Sequence, residues 1–170
     1  MAETATSPAD LAAATCAKAV DDERLILMGL LTEVDGRLRR ILGTAMEEAD
    51  GISLVTFEVL VRIARSPEGR LTMSEVADQT VHTSGGTTRL VDRIEEAGLV
   101  RRASCPNDRR TTYVELTAQG AERLEAATEG HLQLLEEQLT ARLTKNERSV
   151  LIAALTKLNG GPAACAGSKP

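Results

Sequence analysis

Aromatic side chains are almost missing from this chain of 170 residues: one phenylalanine (Phe57), one tyrosine (Tyr113) and no tryptophan. The interior must therefore be packed from Leu, Val, Ile and Ala, which suits helix-on-helix contacts better than a sandwich of sheets. Cysteine is scarce too: Cys16, Cys105 and Cys165 lie far apart, are odd in number, and form no CxxC pair. His82 and His131 are not joined to cysteines at zinc spacing, so neither a disulfide framework nor a structural metal is expected. The longest apolar run, residues 25–31, falls far short of the roughly 20 residues that span a bilayer. The opening MAETATSPAD has neither the basic nor the apolar region of a secretory signal, so the protein is expected in the cytoplasm and away from membranes. No Ser/His/Asp set, phosphate loop or paired-carboxylate signature marks an enzyme, and no cofactor is implied.

What is present is length for one sizeable core and an uneven charge distribution. The net charge is −5, which by itself argues against a nucleic-acid partner. Residues 81–110, however, hold six arginines (89, 93, 101, 102, 109, 110) against four acids (92, 95, 96, 108), a local +2 that leaves −7 for the rest. The basic charge is concentrated in one segment, and distribution matters more than the sum.

The chain reads as a succession of helices interrupted by a hairpin. Residues 1–21 are Ala- and Thr-rich, expected to be flexible with a helical turn over 8–19 at most. Residues 22–48 form a long helix with apolar positions 27, 30, 31, 34, 38, 41, 42 and 45 at the helical period. Over 25–31 apolar residues crowd the other faces as well, so that part needs cover from more than one side, which a partner chain would supply. Ser53 caps the next helix, with Ile52 and Phe57 as a hydrophobic staple, and Ser66-Pro67 ends it. Thr72-x-x-Glu75 is a capping box with Leu71 and Val76 as its staple, opening a short helix that ends near residue 80. A further helix covers 84–97 and closes at Gly98. On it Leu90, Val91, Ile94, Ala97 and Thr87 point inward, while Gly85, Thr88, Arg89 and Asp92 point outward. Residues 99–103 and 111–116 read as two strands around a turn at Pro106-Asn107. A long helix then runs from 118 to about 143 with Leu124, Leu132, Leu135 and Leu139 as its stripe. Thr144-x-x-Glu147 opens a last helix to 158, with Val150, Leu151, Ala154, Leu155 and Leu158 on one face, and 159–170 is a disordered tail.

The order short helix, turn, helix, hairpin with a basic tip over residues 71–116 is a helix-turn-helix with a wing. It places the second helix in a DNA major groove and an arginine beside it. Thr83 and Ser84 at its start suit phosphates, Thr88 and Arg89 reach base edges, and Arg93 shares their face. Wing Arg109 and Arg110 suit the flanking minor groove, with Asp108 holding an arginine in one direction. The fold class is thus mainly α with a small β-hairpin wing: a winged helix-turn-helix domain plus a helical dimerisation region.

These motifs carry a family resemblance. TRLVDRIEEAGLVRR (88–102), PNDRR (106–110) and VELTAQG (114–120), in that order and spacing, resemble the MarR family of bacterial transcription regulators, whose strand-to-helix junction is LTxxG. The resemblance covers roughly residues 22–158 and implies a homodimer joined by its first and last two helices, with two winged lobes on adjacent major grooves. It implies Asp108 and Arg110 as the wing D-x-R pair, Arg110 as the minor-groove arginine, Arg109 on a phosphate, and Thr88 and Arg89 facing the groove. Gly85 and Gly86 depart from the family pattern, each costing a helix roughly 1 kcal/mol relative to Ala. Close backbone approach to DNA, a helix end that orders on binding, and a plain turn with the helix starting nearer Thr87 are all open readings.

The expected layout is a flexible segment over 1–21, a dimerisation helix over 22–50, the winged helix-turn-helix over 51–117, C-terminal dimerisation helices over 118–158 and the tail over 159–170. The expected function is that of a sequence-specific regulator, a repressor acting as a homodimer on a pseudo-palindromic operator of double-stranded DNA. The resemblance implies release by a small-molecule effector, whose binding residues the sequence leaves open, in a cleft poor in aromatics. Two alternatives stand beside this reading. One is a winged-helix module that binds protein and not DNA. The other is a thiol-based redox sensor using Cys16 or Cys105.

Overall fold

The computed structural model describes residues 7–8, 21–79, 84–104 and 111–160. The chain divides into two units, residues 1–41 and 42–170. Helix α1 (Glu23–Asp50) contributes its first part to one and its end to the other. The expected turn over 8–19 and the tail beyond 160 lie almost wholly outside the described residues.

In the first unit α1 starts where Asp22 accepts the backbone N–H of Arg24 at 2.9 Å, satisfying a donor with no helical partner. The crowded apolar positions Leu25, Ile26, Leu27, Met28, Leu30, Leu31 and Val34 are all exposed, Met28 at 62%. No single face of a helix can bury such a run, as its spacing already requires.

The second unit holds the core. Helix α2 (Leu54–Arg65) is capped by Ser53, which accepts from the Thr56 N–H, and it ends at Ser66 in an extended conformation before Pro67. Its buried Phe57, Val59, Leu60 and Ile63 give it one apolar side. Strand β1 (Arg70–Thr72), helix α3 (Met73–Gln79) and helix α4 (Ser84–Glu96) follow, then strands β2 (Val100–Ser104) and β3 (Thr112–Leu116). The strands form an antiparallel sheet in the order β1-β3-β2. A two-stranded hairpin was expected, and β1 is an addition. Its register, Leu71 opposite Val114 and Thr72 opposite Tyr113, is fixed by burial of Leu71 and Val114 on one face. A three-residue strand has too short a pattern to announce itself.

The capping box at Thr72 is present: Thr72 N–H donates to the Glu75 carboxylate at 2.7 Å and Glu75 N–H to the Thr72 hydroxyl at 3.2 Å. Helix α4 begins at Ser84, so both glycines fall inside it rather than in a turn before Thr87. It ends in a Schellman motif. Gly98 has φ +73°, its N–H donates to Glu95 O, and Leu99 N–H donates to Ile94 O at 3.1 Å. That turn corrects one expectation: Ala97 is exposed, and Leu99 occupies the core in its place.

Helix α5 (Ala118–Gln138) is shorter than its periodicity suggests. Leu139 leaves helical geometry at φ −129° and ψ −66°, and Thr140–Arg142 tighten into one 3-10 turn. Nothing in the local composition breaks the helix, and the Thr140 hydroxyl donates to the Glu136 carboxylate. Along α5 the buried residues are Gly120 and Ala127, whereas Leu132 is 58% exposed, contrary to its place in the expected stripe. A small side chain allows the close approach a leucine would block. Helix α6 (Lys145–Leu158) opens with the expected Thr144–Glu147 capping box, and it buries no residue.

Candidate nucleic-acid interface

Two faces of α4 have opposite chemistry. Thr87, Leu90, Val91 and Ile94 are buried at 4% exposure or less, so the helix is anchored along one side. Thr88, Arg89 and Arg93 are exposed on the other. Among the described residues no carboxylate pairs with Arg89 or Arg93, which leaves both cations available to a polyanion. They line a concave surface of about 610 Å³ together with Ser53, Val55 and Asp92. Ser84 and Gly85 stand in the first turn of α4, where backbone N–H groups lack helical partners. The Ser84 side chain lies outside the described residues, as do Thr83, the whole wing tip with Asp108, Arg109 and Arg110, and the cysteines Cys16 and Cys105.

The strands leading to the tip are tied to their neighbours by charge. Cross-strand partners Arg101 and Glu115 form an ion pair at 2.8 Å. Arg70 lies over the Tyr113 ring at 4.1 Å and pairs with Glu68 at 2.6 Å, which holds its guanidinium above its ordinary pKa. The return of the chain into α5 is equally tight. Thr117 caps α5 by accepting from Gly120 N–H at 2.9 Å and donates to the Gly98 carbonyl at 2.6 Å. The spacing of the Leu-Thr-x-x-Gly junction is therefore a joint between the end of α4 and the start of α5.

One network was not anticipated from the sequence. Arg102, on β2, donates to Asp92 at 2.6 Å and also reaches the Glu95 carboxylate, both on α4. Glu95 in addition accepts the Arg102 backbone N–H at 2.8 Å. Burial works against the Arg102 charge, but the hydrogen bonds to Asp92 and Glu95 outweigh it and raise the group above its ordinary value. The signal was available as two acids three residues apart on the helix, but strand register is needed to see which arginine they meet.

A second concavity, of about 290 Å³, lies between the end of α1 (Ala45, Met46, Asp50) and α5 (His131, Leu134, Glu137). The His131 ring sits 4.5 Å from Phe57, and its buried Nδ1 has no hydrogen-bond partner. Burial holds its pKa below the ordinary value, with Glu58 opposing. Among the described residues no group of His, Cys, Asp or Glu is placed to hold a metal ion. No helix among them is long and apolar enough to cross a membrane.

A capped helix pair, a three-stranded wing sheet and an arginine-bearing outer face make this a winged helix-turn-helix protein. Comparison with known proteins narrows the class. A profile of the MarR family matches residues 50–111. The chain is 31% identical over 137 residues to the multiple antibiotic resistance protein MarR of Salmonella typhimurium, covering 81% of this chain and 93% of that protein. It is 30% identical over 129 residues to the HTH-type transcriptional regulator YdgJ of Bacillus subtilis, covering 76% of each. Among solved structures, Sco3205, a MarR family transcriptional regulator from Streptomyces coelicolor in complex with DNA, superposes with a TM-score of 0.73 at 29% identity, over 81% of this chain and 86% of that one. A mutant MarR from Escherichia coli complexed with operator DNA gives 0.70 at 30% identity, over 81% and 96%. The chain belongs to the MarR family of transcription regulators.

Proposed function

We propose that this regulator binds double-stranded DNA as a homodimer and represses transcription, in the cytoplasm, by occupying a pseudo-palindromic operator. The observation that carries the reading is the division of α4 into a buried apolar face and an outer face with Thr88, Arg89 and Arg93. In that geometry Arg89 donates both arms of its fork to a guanine edge, and Arg93 meets a phosphate. Thr83, Ser84 and the Gly85 backbone hold phosphate at the helix start, where first-turn N–H groups point outward. Arg110 enters the minor groove, oriented by Asp108, and Arg109 contacts the backbone. Both structural relatives were solved with DNA bound, which accords with this assignment.

The dimer is supported by two exposed apolar surfaces, one on the start of α1 and one on α6, where Val150, Ile152 and Leu158 are 60–68% exposed. A partner copy covers both in this reading, and half-site centres then fall about 10 bp apart on one face of the duplex. Release follows when a small molecule enters the His131 concavity and favours a lobe spacing that no longer matches the operator. Met46, Leu134 and two alanines share the lining with Asp50, His131, Gln133 and Glu137, so this cleft takes an aliphatic ligand with a polar end more readily than one that needs aromatic stacking.

The test is selection of genomic fragments by the purified protein, followed by anisotropy titration of the selected duplex at several salt concentrations. A two-fold site bound by one dimer with steep salt dependence is the expected result. Failure to select any duplex, with no salt-dependent affinity, would favour a protein-binding winged module instead.

A further inference from the structure

Strand β2 is the outer edge of the wing sheet, because the strand order leaves it paired only with β3. On such an edge alternate N–H groups point away from the partner strand, and at Arg102 the Glu95 carboxylate on α4 takes that N–H at 2.8 Å. The same residue's guanidinium spans Asp92 and Glu95, which stand one helical turn apart on α4. The side chains are partly enclosed, with 27% of Arg102 exposed against 35% for Glu95 and 47% for Asp92. An arginine is needed for this. Its planar fork presents several donors in fixed directions, whereas a lysine is a single charged point on a flexible stem.

We propose that Arg102 is a positioning residue for operator recognition: it touches no DNA, but clamps the wing sheet to α4, so that helix and wing address the duplex as one rigid unit. The proposal rests on the DNA-binding reading above and extends it to a residue outside the contact set. Two consequences follow from the geometry. The angle between the groove-facing side of α4 and the wing is held by bonds from one strand residue to two helix residues. Asp92, which lines the same concavity as Arg89 and Arg93, is held by Arg102 and kept from pairing with them.

The test compares wild-type protein with Arg102→Lys, Glu95→Gln and the double variant, on the genomically selected duplex and on a scrambled duplex of equal composition. Lysine keeps the charge and loses the fork. Loss of a charge-assisted pair predicts about a tenfold fall in the preference for the selected duplex in Arg102→Lys, with scrambled-duplex affinity changed by much less. The double variant is expected to lose no more than the worse single one, since both remove the same clamp. Hydrogen exchange of the β2 amides, fastest to rise at Arg102 itself, reports the clamp without DNA, and circular dichroism melting shows that each variant is folded. Preference kept in Arg102→Lys while exchange accelerates, or losses that add in the double variant, would overturn the proposal. Wild-type protein with no preference at all would instead refute the DNA-binding reading, and the role of Arg102 with it.

Discussion

Gly120 faces the carbonyl of Leu99 so closely that a methyl group on its α-carbon would lie 1.9 Å from the oxygen. The obstacle is backbone, and no rotamer change relieves it. Gly120→Ala is therefore expected to destabilise the fold by about 3 kcal/mol, at the upper end for inserting one methyl group into a packed site. Thr117→Ala, which removes the cap and the hydroxyl's bond to the Gly98 carbonyl, should cost about 1–2 kcal/mol. Chemical denaturation of the two variants checks the order, and a Gly120→Ala protein as stable as wild type would show that α5 can shift away from Leu99.

Arg89 and Arg110 are expected to fail differently. Arg89→Ala should relax base preference within the half-site, by about 1–3 kcal/mol at one position. Arg110→Ala should weaken binding to every duplex, because a cation in the minor groove reads width and potential before sequence. Competition titrations with singly substituted operators separate the two, and an unaltered preference in Arg89→Ala would remove it from base readout.

The apolar residues at the start of α1 and along α6 should behave as an interface. Leu30→Asp and Leu155→Asp place a charge on surfaces now 55% and 37% exposed, where a monomer would tolerate it. In a dimer each buries an unpaired carboxylate, which strongly disfavours association. Sedimentation velocity should show wild-type dimers and dissociated variants; dimers that persist in Leu30→Asp would exclude α1 from the contact.

Acid should weaken the lobe around His131. In the unfolded chain this histidine protonates near its ordinary 6.5, while burial lowers its pKa in the fold and Glu58 partly opposes the shift. The unfolded state then binds more protons, so this contribution is full above the unfolded value and is lost as pH falls through the folded one. The capping carboxylates Glu75 and Glu147 are lowered chiefly by the Thr72 and Thr144 backbone N–H groups, from an ordinary 4.5, so their contribution is lost only at more acid pH. Melting temperature should fall between about pH 7.5 and 5.5 in wild type and fall less in His131→Leu. Equal slopes in the two proteins would assign the acid sensitivity elsewhere.

Much of this was legible beforehand because it is local. Ser53, Thr72 and Thr144 cap helices through partners three residues away, and Gly98 ends α4 through its own φ, so spacing alone reveals them. The outward place of Thr88 and Arg89 follows from helical period once Leu90, Val91 and Ile94 are known to face the core. Where a pattern is too short or has no breaker, the reading failed: β1 has three residues, and α5 stops at Gln138 without a proline or glycine to announce it.

The chain's order of caps, periods and turn residues determined a winged helix-turn-helix with arginines on one helix face, since each of those signals acts over a few residues. Tertiary structure alone decided that Arg102 meets Asp92 and Glu95, that Gly120 must be bare to pass Leu99, and that Ala127 rather than Leu132 is buried. Those contacts join residues 7–21 positions apart or depend on how closely two helices approach. Strand register and packing distance fix such things, and neither is written in the spacing of any one segment.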